Sequence, residues 1–330
     1  MDNLTIYDIS KLAGVSITTV SRVLNGNNNV SLDTREKVEA VIKKHGYVPR
    51  QSARNFSGNE LFAVGLLMDD IRHPYMAELA YAIDREFGKW RLNTIICNLS
   101  DVEGGFINQM DNLIEKRVNG VIILGSVFEK SICKIAIERR YSGIPFVTVN
   151  ANYALPNVRE VMQDQYSGTI DAVKYLYEKG VKSIGWIYYN QSSSDQKKYH
   201  GFLEGMRKCG LTAKYHQQTK AITLEEGKNA TKLLLEKSPE VNAIIYSSDT
   251  LAIGGVHWLN EQGITIPDQI SIIGFNDSKS AKECYPQLTS IDNKTSECGR
   301  LAAQLMLDML NKQPTENVLL GCGLKIRQST

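Results

Sequence analysis

A chain of 330 residues is too long for one compact domain; at roughly 100–200 residues per domain it holds two or three. Its 42% hydrophobic and 22% charged residues lie near globular averages, which excludes a disordered or fibrous protein. A net charge of +2 singles out no partner.

No apolar run is long enough to span a bilayer, so no membrane is expected as a partner. The first residues, MDNLTIYDISKLAGV, place two aspartates before any basic residue and lack a long apolar stretch. That is unlike a secretory or transit peptide, and a cytoplasmic location is expected. Six cysteines (Cys97, Cys133, Cys209, Cys284, Cys298, Cys322) are scattered with no C-x-x-C pair. Buried free thiols are expected, not a disulfide framework or a metal site.

The first fifty residues read as three short helices. Thr5 N-caps the first, with Asp8 as a capping-box-like partner, and the helix runs to about Leu12 before Gly14 turns the chain. Ser16 caps a second helix from Ile17 to about Asn25, and Gly26 ends it. Two short helices joined by a three-residue glycine turn make a helix-turn-helix. Ile9, Leu12, Val15, Val20 and Val23 are expected to form its core, completed by Val38, Val41 and Ile42 of a third helix capped by Ser31. Ile17, Thr18, Ser21 and Arg22 are left facing outward. Residues 33–58 hold six basic residues against three acids, a weak basic bias that gains meaning only beside that motif.

From Leu61 strands and helices alternate. LFAVGLL, NTIIC, GVIIL and PFVTV form one block; VREVM, KSIGWIYY, a weak strand near 213–217, AIIYS and QISIIGF form a second. Helices are expected at 74–87, 106–115, 129–139, 166–179, 196–208, 224–236 and 249–261. The tail adds a helix near 297–310 and a strand around 323–327, crossing back to both blocks. This alternation predicts two similar α/β subdomains built on parallel sheets.

Catalytic patterns are missing. There is no G-x-x-x-x-G-K-[ST] loop, G-x-G-x-x-G turn, H-E-x-x-H or G-x-S-x-G elbow, and the five histidines are dispersed. No catalytic residue, cofactor or metal site is assigned. What recurs instead is polarity at strand ends, where open α/β sheets bind ligands. Asp69, Asp70, Asn98, Ser126, Asn150, Tyr189, Asn190, Asp249, Asn276 and Asp277 lie there. Carboxylates and amides hold neighbouring hydroxyls, and aromatic rings cover a sugar's apolar face. Arg72, His73 and Lys198 near the same cleft leave an acidic or phosphorylated sugar open beside a neutral one.

The segment TIYDISKLAGVSITTVSRVLNG (5–26) resembles the N-terminal signature of the lactose-repressor family of bacterial transcription regulators. VSLDTREKV (30–38), GYVP (46–49), DIRHPYMAEL (70–79), SSDTLAIG (247–254), IPDQISIIGFND (266–277) and PQLTSI (286–291) extend the resemblance over essentially the whole chain. It implies a homodimer, sometimes a tetramer, on a pseudo-palindromic double-stranded DNA operator. It also implies a hinge helix in the minor groove and a core like that of periplasmic sugar-binding proteins. By position, Ile17, Thr18 and Arg22 would reach bases, while Thr5, Ser16, Thr19, Ser21, Asn25 and Thr34 would meet backbone and phosphates. Ala53 and Phe56 would belong to the hinge helix. Asp70, Ser126, Asn150, Lys198, Asp249, Asn276 and Asn293 would surround the effector.

Three departures stand out: Phe56 where leucine is common, Lys198 where arginine is common, and Asn276 where aspartate is frequent. Phenylalanine keeps the wedge character a hinge needs. Lysine lacks the flat bidentate fork. The resulting expectation is an all-α helix-turn-helix headpiece (1–48), a hinge (49–60) and a periplasmic-binding-protein-like α/β core of two similar parallel-sheet subdomains (61–330). The N-subdomain takes about 61–160 and 292–320, the C-subdomain about 161–291 and 321–330. The protein reads as a sequence-specific repressor, not an enzyme, controlled by a sugar-like effector. The rival is a sugar-binding transport receptor, which would need an export signal and has no use for residues 5–26.

Overall fold

The computed structural model describes residues 6–24, 30–45, 62–99, 105–190 and 192–330, and divides into two units, 1–62 and 63–330. In the first unit α1 (Ile6–Ala13), α2 (Ile17–Leu24) and α3 (Leu32–His45) enclose a small core. Gly14, at φ +63°, turns the chain where a side chain would be strained, and Val15 N–H closes the turn on the Ser10 carbonyl at 3.1 Å. Ser16 Oγ accepts from the Thr19 amide at 3.1 Å, the expected cap of α2. Ser31 Oγ lies 2.8 Å from Thr34 Oγ1 at the start of α3. Thr5, Asn25 and Gly26 lie outside the described residues.

The core of this unit is Ile9, Ala13, Val20, Val23 and Val38, with Val15, Val30, Val41 and Ile42 packed against it. Leu12 is a correction: it is 50% exposed, and Ala13 takes its place. An eight-residue helix buries a narrow stripe, and the residue four positions after Ile9 lies closer to that stripe than the residue three after it.

The second unit carries two sheets. The first runs β11 (Val318–Gly321), β5 (Val158–Asp164), β4 (Phe146–Val149), β3 (Gly120–Leu124), β1 (Ala63–Met68), β2 (Asn93–Asn98), every pair parallel. The other runs β12 (Gly323–Lys325), β10 (Thr289–Asp292), β9 (Ser271–Phe275), β8 (Ala243–Tyr246), β6 (Ile184–Tyr188), β7 (His216–Gln218), with only β12 antiparallel. Strands β1, β3, β4, β6, β8 and β9 are buried at every position, as parallel strands covered on both faces must be. The covering helices are α4 (Pro74–Lys89), α5 (Gly105–Glu115), α6 (Ser131–Arg139), α7 (Gln165–Glu178), α8 (Ser193–Lys208), α9 (Leu224–Lys237), α10 (Asp249–Glu261), α11 (Lys279–Glu283) and α12 (Thr295–Leu310).

One strand changes sheet relative to the sequence reading. VREVM does not open the second block; as β5 it pairs with β4, Phe146 opposite Val158, in the first sheet. Apolar alternation marks a strand but carries no information about its partner. The chain therefore passes between the sheets at Asp164–Gln165, Asp292–Thr295 and Gly321–Gly323. After the second passage α12 packs along α4 and the first sheet's core, so both lobes contain residues distant in sequence.

Helices α9 and α10 cross closely at Gly254, where a Cβ would collide with the Leu224 carbonyl oxygen and crowd the Lys228 amide at 3.0 Å. Backbone cannot yield as a side-chain tip can. Gly254→Ala is expected to lower stability by about 1–3 kcal/mol in chemical denaturation.

Candidate functional site

On the first unit, the outward face of α2 carries Ile17 (39% exposed), Thr18 and Arg22. Ser16 and Thr19 are joined hydroxyl to hydroxyl at 2.8 Å at the start of the same helix, and Thr34 is half-buried. Tyr7 on α1 is 62% exposed, a large side chain that spacing did not mark. The side chain of Ser21, and Thr5, Asn25, Ala53 and Phe56, lie outside the described residues.

In the second unit the expected effector residues stand at the carboxyl ends of strands or at the passages between lobes, except Lys198, which lies within α8. Most are held by protein groups. Asn150 donates to Gln163 Oε1 (2.7 Å) and to the Tyr75 hydroxyl (3.0 Å), and accepts from the Gln163 amide (3.0 Å). Tyr75 donates to the same Oε1 at 2.7 Å, and Gln163 Nε2 donates to the Asn293 carbonyl at 2.5 Å. Asn293 then donates to Asn276 Oδ1 at 2.8 Å. A row of amides thus runs from the first lobe through the passage into the second. Asn150 (φ +61°) and Asn276 (φ +104°) have positive φ, which asparagine tolerates better than most residues.

Asp249 is buried, with Ser290 Oγ–H at 2.6 Å on one oxygen and the Ser278 amide at 2.7 Å on the other. Burial pushes its carboxyl up to about 6 from 3.8, against the downward pull of those two donors. Lys198 is equally engaged. It donates to the Ser247 carbonyl (3.1 Å), stands 4.0 Å from Asp195 and sits over the Phe275 ring at 4.5 Å. Burial lowers its pKa. Ser126 Oγ accepts from the Ser194 amide across the lobes at 3.2 Å. Asp70 grips Arg72 through two side-chain nitrogens (2.6 to 3.0 Å), and that hydrogen bonding holds its pKa down to about 2.

Sequence reasoning missed Gln163 and Tyr75, since a glutamine inside a strand and a tyrosine on a helix carry no local signal. His73 Nε2, noted only for its charge, is buried without a partner. Beyond the amide row, on the side where α4 and α12 begin, an open groove of about 480 Å³ spans both lobes. No described group of His, Cys, Asp and Glu is arranged to hold a metal ion.

A family model described as "Bacterial regulatory proteins, lacI family" matches residues 5–50, and one described as "Periplasmic binding protein-like domain" matches 173–330. Catabolite control protein A of Priestia megaterium is 30% identical over 334 residues, covering 99% of each chain. The chain belongs to the lacI family of bacterial regulatory proteins. It is a DNA-binding transcription regulator and not an enzyme. The HTH-type transcriptional repressor PurR of Actinobacillus pleuropneumoniae is 30% identical over 317 residues, 94% of this chain and 93% of its own. The lac repressor dimer bound to operator and the anti-inducer ONPF superposes with a TM-score of 0.87 at 24% identity, over 100% of this chain and 99% of that one. The fold is therefore the lac repressor fold, a helical headpiece unit and two parallel-sheet lobes. No described helix is long and apolar enough to cross a membrane.

Proposed function

We propose that this lacI-family regulator is a cytoplasmic repressor that binds a near-palindromic operator as a homodimer, with a small molecule between the lobes setting its DNA affinity. The observation that carries the reading is the Ser16-capped helix presenting Ile17, Thr18 and Arg22 on one exposed face after the Gly14 turn. Such a helix enters the major groove by its N-terminal end. Arginine reads guanine edges, while an apolar Ile17 suits a thymine methyl and Thr18 serves either contact.

Two-fold symmetry in the protein matches two-fold symmetry in the operator. Support for a dimer comes from β2, an edge strand of its sheet, where Ile96 (45% exposed) lies on the strand that α4 covers. Tyr81 (58%) and Trp90 (62%) are exposed on and just after α4. Support for a sugar or sugar derivative comes from the amides and carboxylates at the strand ends, which pair with hydroxyls. Because Tyr75 and Gln163 take both amide hydrogens of Asn150, ligand contact through them on this reading requires an exchange of partners as the lobes move, while Lys198 and Asp249 keep spare donor and acceptor capacity. That exchange would give the effector its leverage over lobe placement.

Gel retention of DNA upstream of the adjacent operon, with and without a panel of sugars, tests the reading. A retarded band that one class of sugar alters is the expected result. Failure to retain that DNA at any protein concentration would sink it.

A further inference from the structure

We propose that the amino-terminal end of the first sheet is a second DNA-contact surface, on which Arg91, Arg117 and Lys312 meet phosphates of the duplex that α2 reads. The inference rests on the reading of the chain as an operator-binding regulator, and it adds a contact made by the second unit.

Among the described residues, six helices of the second unit end in the same turn. In each, a residue just past the helix has a left-handed backbone, and the next amide bonds back into the last turn. In the second lobe those residues are Gly180, Gly210 and Gly263 after α7, α8 and α10, at φ +68° to +86°. In the first lobe they are Arg91, Arg117 and Lys312 after α4, α5 and α12, at φ +55° to +57°. The closing bonds match: Val118 donates to the Leu113 carbonyl at 3.3 Å, as Leu211 does to Met206 at 2.8 Å. Glycine takes this conformation freely, whereas a residue with a Cβ is strained in it. Space does not select glycine, since a Cβ on Gly180, Gly210 or Gly263 would meet nothing within 4 Å. The helix dipole favours a cation at all six ends, so it does not explain why only one lobe puts cations at the strained position. All three side chains are exposed and make no hydrogen bond or ion pair among the described residues. Nothing inside the fold uses their charge.

Their order across the sheet suits an extended polyanion. Arg91 precedes β2 at one edge, Arg117 precedes β3 in the middle, and Lys312 precedes β11 at the other edge. Strand spacings of ~4.8 Å make that row roughly 24 Å wide, the length of about seven base pairs. Cations in such a row meet backbone phosphates without needing a base edge. Arg140, before β4, is already joined to Asp111 at 2.6 Å. Glu115, Glu138 and Glu316 are exposed at the same end and weaken the attraction. Two residues after Arg117, Asn119 Oδ1 accepts from the Ala63 amide at 3.0 Å, where the chain enters this lobe. The lobe is covalently joined there to the helix-turn-helix unit, so DNA held by α2 is presented to it at a raised local concentration.

The test titrates the full chain with operator and random duplexes over a range of salt concentrations. The logarithm of affinity falls linearly with that of salt, more steeply with each phosphate engaged. Arg91→Gly, Arg117→Gly and Lys312→Gly combined should make the slope shallower by about 1–3 on both duplexes, at ~0.9 per phosphate. The operator-to-random ratio should stay as in the wild type, and the melting temperature should hold or rise, because glycine suits the turn. The corresponding glutamine set, which removes the charge but keeps a side chain, should change the slope equally. Lys179→Gln, Lys182→Gln and Lys237→Gln, which take the same charge from the second lobe, should leave it unchanged. A wild-type slope in the glycine and glutamine sets, or an equal change in the second-lobe control, overturns the surface. A shallower slope in a protein that binds operator no better than random duplex would keep the surface and sink the sequence-specific reading. A wild type that binds neither duplex would overturn both.

Discussion

Arg22→Ala is expected to weaken operator binding by about 1–3 kcal/mol, roughly 5–150-fold, the scale of a lost base-edge contact. The guanidinium is exposed on α2 and takes no part in the core of Ile9, Ala13, Val20, Val23 and Val38, so the fold should survive. The loss should fall on sequence discrimination. Affinity for random duplex should change far less, because phosphate neutralisation supplies most of that binding and scales with the number of cations engaged. Titration of operator and random duplexes at one fixed salt concentration measures the ratio. An unchanged ratio would show that Arg22 contacts phosphate or nothing.

Asp249→Ala should cost the second unit about 2–5 kcal/mol, because it leaves the Ser290 hydroxyl and the Ser278 amide without their acceptor inside a buried site. Urea denaturation reads this directly. The same carboxyl makes a signed prediction about pH. Its folded pKa, about 6, lies above the ordinary 3.8, so the folded state holds the proton more tightly than the unfolded chain. Its contribution to stability is complete below about pH 4, falls as pH rises through 6, and levels off above that. A shift of that size corresponds to roughly 2–3 kcal/mol. Asp249→Asn, which keeps one acceptor and removes the charge, should flatten this part of the profile. Identical pH profiles for the wild type and Asp249→Asn would mean the carboxyl is not held at a raised pKa.

Much of the headpiece was legible because its signals are local. Ser16 and Gly14 act within a few residues of themselves, and the structure places one hydroxyl cap and one positive φ where the sequence put them, while the Ser31 hydroxyl, expected to cap α3, meets the Thr34 hydroxyl. The error at Leu12 is also instructive. Periodicity assigns a face to about one residue, and on a short helix that decides which of two neighbours is buried. Strands β1, β3, β4, β8 and β9 were visible as apolar runs, since a parallel strand covered on both faces has no polar side to show.

The sequence by itself determined the helix-turn-helix, the alternating α/β core and the placing of polar residues at the strand ends, for each depends on residues a few positions apart. Tertiary structure alone decided that Val158–Asp164 joins the first sheet, and that short strands at Thr289–Asp292 and Val318–Gly321 complete the two sheets. It alone decided that Asn150 meets Gln163, that Asp249 meets Ser290, and that the threonine hydroxyl beginning α12 is left without a partner. Strand partners and buried hydrogen bonds join residues tens to hundreds of positions apart. Nothing in a local pattern encodes which distant donor will arrive; only the packed chain settles that.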